Sequence, residues 1–527
     1  MKPKYYITTA ISYATQKPHI GNCCDHVIAD TLARWMRMRG CDVWFLAGAD
    51  EHGQKVENLA AKEGVHPKEY VDRVTGSIKY VLESLDISYD QYIRTTDGYH
   101  EAAVAAEFQK LYDQGDIYKN EYEGMYCTPC ESFWTASQLT EGKCPDCNRE
   151  VAPVKEEAYF LRQSKYQAWL EQYYEDHPDF IVPKSRMNEM VNSFLKPGLQ
   201  DLCVTRSTIK WGVPVPFDQK HVLYVWVDAL SNYITALGFN AAENNPSGQS
   251  EKHEKYWPAD LHVIGKDICR FHTITWPIML HALGQELPRQ VFAHPWLLFG
   301  DGKMSKSKGN VIYADELAQA IGSDAVRYFV LAELPLATDG SITREAVIER
   351  YNGDLANVLG NLVNRTLAMT NKYFDGVIPD FPRDVTPLEL ELQAFALNAV
   401  KEFTTAMEEC RLADAMEAAL ALAKRSNKYI DETAPWALAK DESKREYLAA
   451  VLYHLLECIR FLAALFAPSM PNCARKILLQ LQPDCDPGAS LEGIWPTLES
   501  FGWLRNGTKV TDKPTPLFAR LDADQVL

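Results

Sequence analysis

Apolar positions change their period twice within the first fifty residues. Residues 4–10, Lys-Tyr-Tyr-Ile-Thr-Thr-Ala, are β-branched and aromatic and predict a strand, and 12–18 carry turn chemistry. Over 22–39 apolar residues recur at helical spacing, at Val27, Ile28, Leu32, Trp35 and Met36, and Gly40 supplies the stop. Residues 42–47 form a second apolar run that ends in the polar cluster Gly48-Ala-Asp-Glu-His-Gly53. Two strands joined by a helix predict a parallel pair within a doubly wound sheet. Such sheets bind ligands at the carboxyl ends of their strands.

A second region of this type begins near Val222. There 223–228 reads as a strand or strand end, 261–264 as a strand, 267–283 as a helix and 290–294 as a strand. Between the halves lies a stretch of different character that holds all the paired cysteines and reads as an insertion. Beyond Ile312 strand signals almost vanish, and helical patterns occupy 354–371, 388–406, 412–430 and 444–465. Breaks rich in Pro or Gly fall at 376–387 and 468–471. The pattern predicts an α/β fold class: a Rossmann-type doubly wound parallel sheet split by an insertion, followed by an all-α C-terminal helix bundle. Its expected parts are 1–114 and 222–300 for the two halves of the sheet, 115–221 for the insertion, 301–375 for a junction and 376–527 for the bundle.

No 18-residue uncharged apolar run is present; 447–468 comes nearest but carries His454, Glu457 and Arg460, so it predicts a buried helix and no membrane contact. The N-terminus has no apolar signal core. Thirteen cysteines, an odd number, nine of them outside paired motifs, suit free thiols in a reducing compartment and predict a cytoplasmic protein. Composition is ordinary for a globular chain of 527 residues, with 46% hydrophobic and 24% charged residues. The net charge of −17 argues against a nucleic-acid partner in bulk, although local patches override bulk charge.

Three segments carry chemistry. Cys127-x-x-Cys130 and Cys144-x-x-Cys147 stand thirteen residues apart, with Pro129, Gly142 and Pro145 shaping the turns. Two such knuckles place four thiolates about one Zn2+, with no open coordination position, so the predicted role is structural. Binding energy on the order of 10 kcal/mol would organise a segment too poor in core to fold alone. A zinc ribbon that itself reads nucleic acid is the alternative, although its surroundings are not basic. Next, Pro18-His19-Ile20-Gly21-Asn22 lies at a strand-to-helix turn, where unpaired N–H groups meet an anion. Gly21 lets a nucleotide approach the backbone and His19 can donate to a phosphate oxygen. Alone, a His-x-Gly near a helix start is usually a cap, and Asn22 is itself a good N-cap residue. Last, Gly302-Lys-Met-Ser-Lys-Ser-Lys-Gly-Asn310 by itself reads as a solvated basic loop, but together with the His19 turn it reads as a cationic arm able to offset charge building on a triphosphate.

The segments HIGN and KMSKS resemble the paired signatures of class I aminoacyl-tRNA synthetases. The chain is similar to the methionyl-tRNA synthetase family over essentially its whole length. The matching stretches are Ala10-Ile-Ser-Tyr13, Gly48 to Gly53, the cysteine knuckle, Val225-Trp-Val-Asp-Ala229, Gly265-Lys-Asp267 with Phe271-His272, Leu359-Gly-Asn-Leu-Val-Asn-Arg365 and Ala434-Pro-Trp436. One departure is Asn22, which stands where the family's first signature ends in His.

The resemblance implies activation of L-methionine by ATP with Mg2+, giving methionyl-adenylate and pyrophosphate. Transfer to the terminal adenosine of initiator and elongator tRNA(Met) follows. By similarity, His19, Gly21 and Asn22 contact the phosphates, Gly265 and Asp267 hold the adenosine, and Lys303 and Lys306 close on the leaving pyrophosphate. His19, Asn22, Lys303 and Lys306 are the implied catalytic groups. Tyr13, Trp226, Tyr233 and His272 match the methionine pocket, with Ala229, Leu230 and Ile268 as its wall. Asp50 is expected to pair with the substrate ammonium, assisted by the backbone at Ile11. Homocysteine, one methyl shorter, is expected to be activated and edited. The C-terminal bundle is expected to bind the anticodon through Asn361, Arg365 and Trp436. One structural Zn2+ on Cys127, Cys130, Cys144 and Cys147 and a monomeric state complete the expectations.

Rival readings explain less. Leucine, isoleucine and valine enzymes carry a large editing insertion for which 527 residues leave no room. A cysteine enzyme uses zinc in its amino-acid pocket, whereas four thiolates close the site. A small-molecule nucleotidyltransferase leaves KMSKS, the knuckle and the bundle unexplained. A non-catalytic tRNA-binding homologue sits poorly with His19, Asp50, Lys303 and Lys306.

Overall fold

The computed structural model describes residues 2–134, 138–145, 147–242, 250–300, 311–382 and 385–522. Seven parallel strands make the central sheet: β1 (Lys4–Thr9), β2 (Ser12–Tyr13), β3 (Asp42–Asp50), β4 (Gln91–Arg94), β5 (Ile181–Val182), β6 (Leu261–Gly265) and β7 (Val291–His294). β1 sits in the middle, with Ile7 opposite Phe45 of β3 on one side and Leu261 of β6 on the other. β4 lies outside β3, and β7 then β5 lie outside β6. β2 continues past β1 and pairs Ser12 with Ala49 and Tyr13 with Asp50. The connections out of β1 and into β6 run to opposite sides of the sheet. Their carboxyl ends therefore open a crevice at this switch point. β3 is buried along almost its whole length, at Phe45, Leu46, Ala47 and Ala49, as a strand covered on both faces must be.

The helix after β1 spans Cys24–Met38 and packs Val27, Ile28, Leu32 and Trp35 into the core. It begins later than its periodicity suggested, because a 3-10 turn at Ile20–Cys23 precedes it. Asn22 is therefore not its N-cap; Asn22 Oδ1 instead accepts the His19 backbone N–H at 3.3 Å and ties the turn to itself. The run at 223–228 is also different from expectation. Only Val222–Leu223 pairs as a strand, and Val225–Thr235 is a helix, nearly all of it buried. Over 223–228 only Asp228 is charged, and a buried helix start with so few polar residues reads like a buried strand. The expected helix at 267–283 is a continuous coil of three windings: 3-10 at Lys266–Ile268, π at Phe271–Thr275 and α at Trp276–Leu283.

The cysteine-bearing region is a four-stranded antiparallel sheet. Ile117–Cys127 and Ala152–Leu161 pair along its length, and Ser132–Trp134 and Leu202–Cys203 form its edges. Ile181–Val182, inside the segment read as insertion, returns to the main sheet as β5. A two-residue strand leaves no periodicity to read. Leu297–Phe299 and Gly340–Ile342 form a further parallel pair beyond the sheet, a strand signal the sequence lacked after 312.

The helices of the C-terminal bundle include Pro387–Glu408, Leu412–Thr433, Arg445–Phe466 and Pro471–Leu481. Among the described residues one helix, Glu442–Phe466, is long and apolar enough to cross a membrane, and 94% of its most apolar window is buried within the protein. A buried ion pair joins the junction to the sheet domain. Arg327 Nη1 lies 2.7 Å from Asp30 Oδ2, both side chains having 0% exposure. The same guanidinium donates to the carbonyls of Leu85, Pro468 and Ser469.

Candidate functional site

Three strand ends build one cavity of about 510 Å3. The segment after β1 contributes Ile11, Tyr13, His19, Gly21 and Asn22; the end of β3 contributes Asp50; the turn after β6 contributes Gly265, Asp267, Ile268 and His272. The fourth wall is the helix Val225–Thr235. Its residues Trp226, Ala229, Leu230 and Tyr233 all line the cavity. Their spacing of i, i+3, i+4 and i+7 is one helical face. Every sequence-predicted ATP and methionine residue among the described residues therefore faces the same space. Lys303 and Lys306 lie outside the described residues.

The amino-acid end of the cavity is largely aromatic and contains the carboxyl of Asp50. Trp226 stacks on Phe271 with ring centroids 4.0 Å apart. Tyr233 donates its hydroxyl hydrogen to His272 Nε2 at 2.7 Å, and His272 Nδ1–H donates to the Ile268 carbonyl at 3.0 Å. Those two bonds fix the tautomer, and burial pushes the imidazole down to about 4, so His272 is neutral. The π winding places the His272 ring at the cavity with its Nδ1 on the Ile268 carbonyl, a use typical of such bulges.

Asp50 has a different balance. Its Oδ1 is buried and makes no hydrogen bond. Burial first, then nearby Asp228 and Glu131, push its carboxyl well above the ordinary carboxylate range. A buried acceptor of this kind is completed by a cationic donor from a ligand. Behind it, Asp228 Oδ2 accepts from His52 Nδ1 at 2.7 Å and Asp228 Oδ1 accepts from His100 Nε2 at 2.9 Å. Burial opposes charge on both partners, yet Asp228 drives His52 up to about 10 and His52 holds Asp228 at about 2. The pair is thus an ionised one. Glu51 points the other way, bound by Arg94, Thr75 and Thr96. The cluster after β3 divides its work: Asp50 faces the cavity, and Glu51 and His52 hold the turn.

At the nucleotide end, Trp296 Nε1 donates to Asp267 Oδ1 at 3.1 Å. A Cβ at Gly265 would meet Asp267 Oδ1 at 2.7 Å, so only glycine leaves the carboxylate this position. Trp296 was not foreseen, since a tryptophan after a strand reads as core. Glu131, Asp25 and Arg149 also line the cavity and were not foreseen.

The four cysteines converge. Their sulfurs lie within 4.8 Å of one another, and Cys127 Sγ to Cys147 Sγ is 3.6 Å, far beyond a disulfide. Tetrahedral zinc with bonds of about 2.3 Å sets sulfurs about 3.8 Å apart, so the set has the right size and donor chemistry. Cys130 and Cys147 also border the cavity.

In the bundle, Trp436 is 45% exposed on the short helix Pro435–Leu438, which excludes its reading as a core residue. Arg365 reaches Asp431 at 3.4 Å, in the last turns of the helix that leads into Trp436. Asn361 is exposed at the start of the helix that carries Arg365. The three predicted readers thus belong to neighbouring elements.

A family model described as tRNA synthetases class I (M) matches residues 5–154 and 149–367, and one described as the anticodon binding domain of methionyl tRNA ligase matches 381–526. A methionine–tRNA ligase of Clostridium perfringens is 52% identical over 526 residues, 100% of this chain and 79% of that one. One of Caldanaerobacter subterraneus subsp. tengcongensis is 53% identical over 527 residues, 100% of this chain and 80% of that one. Mycobacterium tuberculosis methionyl-tRNA synthetase in complex with methionyl-adenylate superimposes with a TM-score of 0.92 at 40% identity, covering 99% of this chain and 100% of that chain.

Proposed function

The chain belongs to the methionyl-tRNA synthetase family of class I aminoacyl-tRNA synthetases, and from that premise we propose how its residues carry the reaction. The activity is activation of methionine by ATP followed by charging of tRNA. The observation that supports the residue assignment is the convergence of fourteen named residues on one cavity at the switch point of the sheet.

Asp50 takes the methionine ammonium, which supplies the hydrogen its buried oxygen lacks. The thioether lies against Tyr13, Trp226, Tyr233 and the neutral His272, whose apolar and polarisable faces suit sulfur. A charged imidazole there would have to be desolvated for an uncharged side chain; the fixed tautomer removes that cost. With the ammonium and side chain held, the carboxylate is aimed at the α-phosphate of an ATP lying across His19, Gly21, Asn22, Gly265 and Asp267. No covalent enzyme intermediate forms, so rate comes from position and charge. Lys303 and Lys306 act on the departing pyrophosphate. Mg2+, when bound with ATP, offsets phosphate charge. Asn22 donates hydrogen bonds without charge, which leaves more of the electrostatic load to His19 and the lysines.

Cys127, Cys130, Cys144 and Cys147 would hold one structural zinc ion; its bonds would lock the two knuckles together. Trp436 stacks an anticodon base, with Asn361 and Arg365 as polar readers. The protein acts as a monomer in the cytoplasm and charges both initiator and elongator tRNA(Met) on the terminal adenosine. The test is aminoacylation with each tRNA, intact and after periodate oxidation of its terminal diol. Both intact tRNAs should accept methionine and neither oxidised one should. Charging of oxidised tRNA would overturn the assignment of the acceptor site.

A further inference from the structure

Glu131 joins the cysteine knuckle to the amino-acid pocket. It directly follows Cys130, is 2% exposed and borders the cavity. Its carboxylate accepts two hydrogen bonds, from the Tyr13 hydroxyl and from the Lys55 backbone N–H at 2.8 Å. Its own carbonyl accepts from the Tyr224 hydroxyl. Its φ of 48° is left-handed, which a non-glycine residue adopts only when its surroundings insist. Those surroundings are the tight hairpin between Cys127 and its cross-strand partner Ser132. Gly53 also accommodates the arrangement: at φ 103°, a Cβ there would come within 2.5 Å of Glu131 Oε2 and 2.7 Å of the Tyr13 hydroxyl. Three separate segments are thus shaped around one contact, that between Tyr13 and Glu131.

A structural knuckle needs no carboxylate buried in the ligand cavity. We propose that Glu131 is a positioning residue for methionine: it holds the Tyr13 ring in place against the substrate, and the zinc-bound knuckle is the mount that keeps Glu131 there. The inference rests on the reading of Tyr13 as a methionine-pocket residue. Tyr13 is the last residue of the two-residue strand β2, which has loop on both sides. Without its hydroxyl anchored, the ring would have to be immobilised by methionine itself. Ordering one side chain on binding costs about 0.5–1.5 kcal/mol. The methionine dissociation constant should therefore rise about two- to tenfold, with the ATP end of the cavity unaffected.

The experiment is calorimetric titration of methionine without ATP, together with KM for methionine, KM for ATP and kcat in pyrophosphate exchange. Zinc content is measured on each sample by elemental analysis. Glu131→Ala and Tyr13→Phe should each weaken methionine by about two- to tenfold, leave KM for ATP unchanged, and together do no more than either alone. Glu131→Gln, whose amide oxygen still accepts the hydroxyl, should recover most of the loss. Chelated wild-type protein that keeps its circular dichroism should lose methionine affinity to the same extent. Unchanged methionine binding in Glu131→Ala and Tyr13→Phe would overturn the proposal, as would additive losses or an equal rise in KM for ATP. If Glu131→Ala loses zinc, Tyr13→Phe decides, because it leaves the knuckle intact. Trp226→Ala separates the two levels of argument. If it too leaves methionine binding unchanged, the pocket reading itself fails; if it weakens binding while Glu131→Ala does not, only the clamp fails.

Discussion

Replacing Asp50 by Asn removes one charge from the cavity and little volume. In the wild-type protein Asp50 Oδ1 is buried with no hydrogen-bond partner, in a carboxyl whose ionised form is disfavoured by burial and by Asp228 and Glu131. A methionine ammonium supplies both the missing donor and the compensating charge. A charge-assisted hydrogen bond contributes about 1.5–3 kcal/mol and a neutral one about 0.5–1.5 kcal/mol, so Asp50→Asn should lose about 1–2 kcal/mol or more. That difference corresponds to about a five- to thirtyfold higher KM for methionine, with KM for ATP unchanged. The comparison ligand is 4-(methylthio)butanoate, which keeps the thioether and carboxylate and lacks the amine. It should bind wild type and Asp50→Asn equally, since neither cycle partner then carries the ammonium. Calorimetry over the four combinations gives the coupling directly. The pH sign follows from the raised carboxyl. As pH falls through its value in the empty site, Asp50 protonates and methionine affinity is lost, and below that point binding of the ammonium releases the carboxyl proton. If the amine-free ligand lost as much affinity on Asp50→Asn as methionine does, Asp50 would not be the ammonium partner.

Trp436→Ala should lower tRNA charging efficiency about ten- to hundredfold, the loss of one stacked base, while tRNA-independent pyrophosphate exchange stays normal; equal losses in both assays would make Trp436 a structural residue. Homocysteine should support exchange at a kcat/KM about 10- to 200-fold below methionine, because the pocket can sense its missing methyl only through contact; absence of any exchange would contradict the apolar account of the pocket. Arg327→Met should destabilise the protein by about 3–5 kcal/mol by denaturant titration, since it leaves the buried Asp30 with Arg34 as its one remaining cation and strips the carbonyls of Leu85, Pro468 and Ser469 of their donor. Burial alone would raise Asp30, but Arg327, Arg34 and Ser88 hold it at about 2 against an ordinary 3.8. That contribution is complete above pH 3.8 and lost as pH falls through 2. In Arg327→Met the Asp30 carboxyl should rise and acid unfolding should move to higher pH; an unmoved acid limb would show that Arg327 does not hold the carboxylate.

The parts legible in the sequence were those where periodicity and turn chemistry agree. β1, β3 and β6 declare themselves as apolar runs ending in polar clusters, and those clusters hold His19, Asp50 and Asp267. The helix Val225–Thr235 was misread because its polar stripe, Asp228, Ser231, Asn232 and Thr235, begins only where the apolar run ends and is itself buried against His52, His100 and Glu107. Once its state is known, the spacing of Trp226, Ala229, Leu230 and Tyr233 becomes meaningful. The strand Ile181–Val182 was illegible for a different reason: its two residues gain their role only by pairing with Val291 and Phe292. Glu131 was missed because its significance comes from a left-handed backbone turn and from Tyr13, a distant residue in sequence. Local patterns carry elements and signatures; contacts between insertion and sheet appear only when the chain is folded.

The central claim is that this cavity joins methionine to the α-phosphate of ATP. Amino-acid-dependent exchange of labelled pyrophosphate into ATP, with the purified zinc-replete protein and no tRNA, measures that step alone. Methionine should drive exchange, and leucine, isoleucine, valine and cysteine at the same concentration should give almost none. Exchange that ignores methionine, or that one of those four supports equally well, would contradict the account.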